Sequence, residues 1–211
     1  MTLTAIALNC TLKPGGGEED SSTDKMIGLL VSELAKLDVA FAGTIRVVDH
    51  RVKPGVTSDE GAGDAWPGLR ERILAADILI FGTPVWLGQM SSVAKRVTER
   101  MDAFLSETDD SGRMPSFGKV AIFAIVGNED GAHGITAHLA QALLDTGWTL
   151  PASPACYWVG EAMGKVDFKD LPRVPGKVAE TAAMTASNAA HLASLLKRAR
   201  YPGVGEMGKD Q

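Results

Sequence analysis

Three short stretches hold the residues that could do chemistry, and each follows an apolar run. The first contains Thr11, Lys13, Ser21, Ser22 and Thr23 around Gly15-Gly16-Gly17. Hydroxyls and a lysine before a helical pattern suit a phosphate, because a helix N-terminus offers unpaired N–H groups and partial positive charge. The same residues also suit a plain capped helix behind a glycine-rich loop. No Gly-Lys-Ser/Thr triplet closes the stretch, so it is not a P-loop. Asp20 breaks any Gly-x-Gly-x-x-Gly spacing. Glu18, Glu19 and Asp20 would have to point away from a phosphate bound there.

The second stretch is Pro84, Val85, Trp86, Leu87, Gly88 and, after Gln89, Met90. Pro84 stiffens the chain, Trp86 and Leu87 supply flat apolar surface, and Gly88 allows close backbone approach. This suits a planar aromatic ring, with side chains on its face and backbone amides at its polar edge. The third stretch is glycine-rich, with Gly127, Asn128, Glu129, Asp130, Gly131 and His133. Its glycines let amides face a ligand. Its carboxylates and single histidine lack the spacing of a metal site, and Glu129 and Asp130 also suit the start of the next helix.

The elements that must position these stretches alternate. Strands are expected over 3–8, 44–48, 77–82, 119–126 and 155–159. Helices are expected from Ser21 through Leu37 and over 68–76, 91–105, 132–146 and 176–200. Such alternation implies a doubly wound α/β domain, a five-stranded parallel sheet covered on both faces. Ligands of that architecture bind beyond the carboxyl ends of the strands. All three stretches leave those ends. Residues 1–200 read as one domain and 201–211, rich in glycine and polar residues, as a flexible tail. The long segment after Cys156, through Pro175, reads as a cover or a subunit contact. The alanine-rich face of the last helix suits packing on the sheet.

Composition narrows the functional classes. The chain has 211 residues, 45% hydrophobic and 22% charged, with a net charge of -5. No long basic run offers a footprint for nucleic acid or an anionic membrane. Apolar stretches are strand-length, far below the ~20 residues of a membrane span. Cys10 and Cys156 form no metal-ligand spacing and no disulfide framework, and neither has a base beside it in sequence. A cytoplasmic, reduced protein is expected.

In this order and spacing, Ser21-Ser22-Thr23, the run from Thr83 to Ser91 with Lys95, Glu99 and Arg100 beyond it, and Gly127 to Gly131 together resemble the flavodoxin-like NAD(P)H-dependent FMN reductases and quinone reductases. The resemblance spans roughly residues 3–160. It implies strand order 2-1-3-4-5, FMN as cofactor and NADPH or NADH as co-substrate. By position it assigns Thr11, Lys13, Ser21, Ser22 and Thr23 to the phosphate. Pro84, Val85, Trp86, Leu87, Gly88 and Met90 would line the flavin, with Asn128, Glu129, Gly131 and His133 opposite. The first loop is longer and more acidic than is common in the family.

The function so implied passes hydride from NAD(P)H through FMN to a quinone, a flavin or another small acceptor. His133 would aid proton transfer to the acceptor, and the chain would form a homodimer. The alternatives are a flavodoxin-type electron carrier, which turnover of NAD(P)H without a partner protein would exclude, and a non-catalytic FMN-binding module. Carriers of this fold are usually shorter and more acidic.

Overall fold

The structure, a computed structural model, describes residues 2–16 and 21–204. Five parallel strands form the sheet: β1 (Leu3–Asn9), β2 (Val39–Arg46), β3 (Ile78–Trp86), β5 (Val120–Gly127) and β6 (Ala155–Val159). They stand in the order β2-β1-β3-β5-β6. This is the flavodoxin-like arrangement expected, with one addition. A two-residue strand, β4 (Gln89–Met90), pairs antiparallel with the end of β3 and lies off that path.

β5 is apolar throughout because both its faces are covered. Helices α2 (Trp66–Ala75), α3 (Ser92–Met101) and α4 (Ala132–Asp145) pack on one face, with Ile6, Leu8, Phe81 and Phe123 beneath them. Helices α1 (Ser22–Ala35) and α5 (Gly176–Arg198) cover the other, over Ala5, Ile80, Ile122 and Ala124. On α5 the small residues Ala182, Ala186, Ala189 and Ala193 are fully buried, as sheet packing requires.

Two differences from the sequence expectation reshape the sheet. β2 begins earlier, at Val39. Its first half is small or exposed, held by backbone pairing to β1 rather than by apolar alternation, and Gly43 takes φ +115° at a register shift. β3 runs on through Pro84 to Trp86, so the expected loop is a hairpin. Leu87 (φ 51°) and Gly88 (φ 74°) are the positive-φ pair of a two-residue turn. Of the expected tail, Tyr201 packs edge-on to Phe117, its hydroxyl accepting from Thr149 Oγ1 at 3.1 Å. Residues 205–211 lie outside the described residues.

The long segment between β2 and α2 is pinned from within. The side chains of Arg100 and Asp64 have no exposed surface, with Nη2 2.7 Å from Oδ2. Arg100 also donates to the carbonyls of Thr57 (2.9 Å) and Lys53 (3.0 Å). Burial alone would raise the Asp64 carboxyl. The Arg100 guanidinium and the amides of Glu60, Trp66 and Lys53 outweigh it and hold the group well below the usual carboxylate range.

α1 is seated close to the sheet at Gly82. A Cβ there would lie 2.7 Å from Ile27 Cδ1, 2.9 Å from Thr23 Cγ2 and 3.0 Å from the Leu8 carbonyl oxygen. Gly82→Ala should therefore lower stability by about 1–3 kcal/mol, read as a reduced urea midpoint at unchanged slope. A midpoint equal to that of the wild type would refute the close seating.

Candidate functional site

The carboxyl ends of β1, β3, β5 and β6 open into a cleft of about 400 Å³, within the size range of small-molecule sites. Thr11, Lys13, Ser21, Ser22 and Thr23 line one end of it. Pro84, Val85 and Trp86 form an apolar wall, and Asn128 and Glu129 face the cleft from the third stretch. Ten of the residues singled out from the sequence thus meet in one place.

At the first end, Ser21 is the N-cap of α1. Its hydroxyl accepts from Asp24 N (3.1 Å) and donates to Asp24 Oδ2 (2.8 Å), while that carboxylate accepts from Ser21 N (2.9 Å). Ser21 is therefore occupied by the capping box. Ser22 Oγ accepts from Lys169 N at 3.2 Å. The N–H groups of Ser22 and Thr23 have no acceptor among the described residues and stand in the first turn of the helix.

Asn9, fully buried and missed by the sequence reading, ties this end together. Its amide donates to Asp24 Oδ1 (2.6 Å) and its carbonyl accepts from Thr11 N (3.0 Å). The only signal was a polar residue closing an apolar strand. Asp24 is also 2.5 Å from Arg46 Nη2. Burial would raise its carboxyl, but hydrogen bonds from Ser21 and Asn9 and the Arg46 charge lower it. The acidic residues Glu18, Glu19 and Asp20 lie outside the described residues.

Five expected residues do not line the cleft. Leu87 is 91% exposed at the hairpin tip. Its amide and that of Gly88, expected at a ligand's polar edge, instead donate to the two Glu129 oxygens at 2.9 and 3.1 Å. The carboxylate takes the amides because the turn projects both the same way. Met90 pairs with Val85 in the hairpin and packs toward the core. Gly131, at φ 140°, brings the third stretch against the hairpin; a Cβ there would meet Gly88 O at 2.7 Å. His133 turns to Tyr157, with Nε2 2.9 Å from the phenolic oxygen and the rings edge to face.

The far wall comes from the end of β6 and the segment after it. Trp158 and Phe168, with ring centroids 5.5 Å apart, line the cleft together with Met163, Gly164 and Asp167. Sequence reading singled out this segment only as a cover or contact. No motif marks its residues.

The family model for NADPH-dependent FMN reductase matches residues 4–162. The chain belongs to that family. Its cofactor is FMN, and the family is described as NADPH-dependent. An 8-demethyl-8-aminoriboflavin-5'-phosphate synthase of Streptomyces davaonensis is 32% identical over 173 residues, covering 77% of this chain and 65% of that protein. A divalent metal cation transporter of Mycobacterium bovis is 35% identical over 166 residues, covering 76% of this chain and 24% of that protein. The chain therefore spans less than two thirds of either relative. The crystal structure of RosB with bound 8-demethyl-8-formylriboflavin-5'-phosphate superposes with a TM-score of 0.86 at 28% identity, over 98% of this chain and 84% of that one.

The cleft fits such a cofactor. First-turn amides with no acceptor among the described residues suit a phosphate, and Pro84, Val85, Trp86 and Trp158 suit a flat ring. Among the described residues no helix is long and apolar enough to cross a membrane.

Proposed function

We propose that the chain binds FMN in this cleft and uses it to pass hydride from NAD(P)H to a quinone, a free flavin or another small acceptor. The observation that carries the reading is the meeting of the first-turn amides of α1 with the Pro84–Val85–Trp86 wall in one cleft at the carboxyl ends of the strands. Bound FMN supplies the two-electron chemistry. The chain's own residues bind, orient and exclude water.

The Ser22 and Thr23 amides hold the phosphate, with Thr11 and Lys13 beside them. Pro84, Val85 and Trp86 lie along the ring, and Trp158 shields it from water. Glu129 fixes the hairpin by its two amide bonds and so sets the position of Trp86. His133, engaged with Tyr157, acts away from the ring. The exposed hairpin tip, with Trp86 51% and Leu87 91% exposed, is the natural contact of a homodimer.

A second reading follows from the riboflavin-phosphate names carried by the synthase and by RosB. In it the flavin phosphate is a substrate that leaves altered. Anaerobic NADPH should bleach the flavin bands of the FMN-loaded protein, and a quinone should restore them with FMN recovered unchanged. Loaded protein that never bleaches would defeat the reductase reading. Recovery of a flavin of different mass would move the assignment to the second.

A further inference from the structure

The segment over residues 160–171 is a strap fixed at both ends across the cleft. At one end Met163 N donates to the Asn128 carbonyl (2.9 Å), and Asn128 Nδ2 donates to the Gly164 carbonyl (3.1 Å). At the other, Lys169 N donates to Ser22 Oγ (3.2 Å), while Lys25 Nζ donates to the carbonyls of Lys169 (3.1 Å) and Leu171 (3.0 Å). Phe168, with no exposed surface, anchors the middle beside Trp158. The strap therefore runs from the stretch that faces the ring to the helix end that faces the phosphate. Residues 163–171 lie past the family match, which ends at residue 162.

Asp167 stands between the two anchors and lines the cleft. Its Oδ1 accepts from Asn128 Nδ2 at 3.1 Å. Oδ2 has no partner, and Asp167 has no ion pair, among the described residues. An ionised carboxylate only accepts hydrogen bonds, so a ligand group seated against it must be a donor. The phosphate of FMN offers none and repels it. The part of FMN that joins phosphate to ring is a polyol, whose hydroxyls are donors.

We propose that Asp167 accepts hydrogen bonds from the ribityl hydroxyls of FMN, making the strap a specificity element of the flavin site. The proposal rests on FMN occupying this cleft as described under Proposed function. It predicts that the protein reads the side chain of the flavin and not only its ring and phosphate.

The test compares FMN with lumiflavin, which keeps the ring and lacks the side chain, by titration of flavin fluorescence. Asp167→Ala should weaken FMN about tenfold, the size of one charge-assisted hydrogen bond, and leave lumiflavin within about twofold. Asp167→Asn, whose amide oxygen still accepts, should fall between the two and covers the case in which the alanine variant fails to fold. Equal FMN affinity in all folded proteins overturns the proposal, as does a parallel loss of FMN and lumiflavin. Wild-type protein that binds no FMN overturns the site reading as well; intact wild-type binding with unchanged variants overturns the role of Asp167 alone.

Discussion

Arg100→Met should lower the free energy of unfolding by about 3–5 kcal/mol, the cost of leaving a buried carboxylate without its partner. Both groups of the Arg100–Asp64 pair have no exposed side-chain surface, so water cannot take over. The guanidinium also holds the Thr57 and Lys53 carbonyls, which lose their donor in the same step. The pH dependence gives a second signature. The folded Asp64 carboxyl is lowered. Its contribution to the wild type is full above the unfolded carboxylate value near ~4 and drains away as pH falls below it. In the variant the amides of Glu60, Trp66 and Lys53 still lower the carboxyl but the guanidinium no longer does, so the folded group protonates at a higher pH than in the wild type and less stability is lost on acidification. The deficit should therefore be largest at neutral pH and shrink on acidification. Urea unfolding at several pH values checks this. A deficit under 1 kcal/mol at neutral pH, or one that grows toward acid, would mean the pair does not hold the segment between β2 and α2.

Ser22→Asp should cost FMN affinity about a hundredfold while leaving riboflavin, which has no phosphate, nearly untouched. Two like charges a few ångströms apart at the edge of a protein repel by a few kcal/mol, and about 2.7 kcal/mol is a hundredfold. The helix itself favours the change, since an acidic side chain in the first turn meets the positive end of the dipole. A carboxylate can still accept from Lys169 N, as the serine hydroxyl does. Melting temperature should hold while FMN binding, measured by fluorescence quenching, collapses. If FMN and riboflavin weaken together, or neither weakens, the phosphate does not lie at the start of α1.

Much of this molecule is legible along the chain. The all-apolar run of β5 announces a strand buried on both faces, and helical spacing with an N-cap at Ser21 announces α1. Alternation of the two types yields the parallel sheet, and the sheet places the chemistry at the carboxyl ends of its strands. Ten of the residues read as ligand-facing meet in the cleft for that reason. The hairpin at 87–88 was hidden because leucine is an unusual residue at positive φ, where Asn or Gly is the expected signal.

Sequence alone determined the fold, the end of the sheet at which the site lies, and the three stretches that build it. These depend on local periodicity and on the rule that joins strands through helices. Tertiary structure decided which polar groups are still free. Ser21 is taken by its own helix cap, the Leu87 and Gly88 amides by Glu129 some forty residues away, and His133 by Tyr157. It also decided that residues 160–171 close the cleft. Hydrogen bonds from Asn128, Ser22 and Lys25 hold that segment, and partners so distant in the chain leave no periodic mark on it.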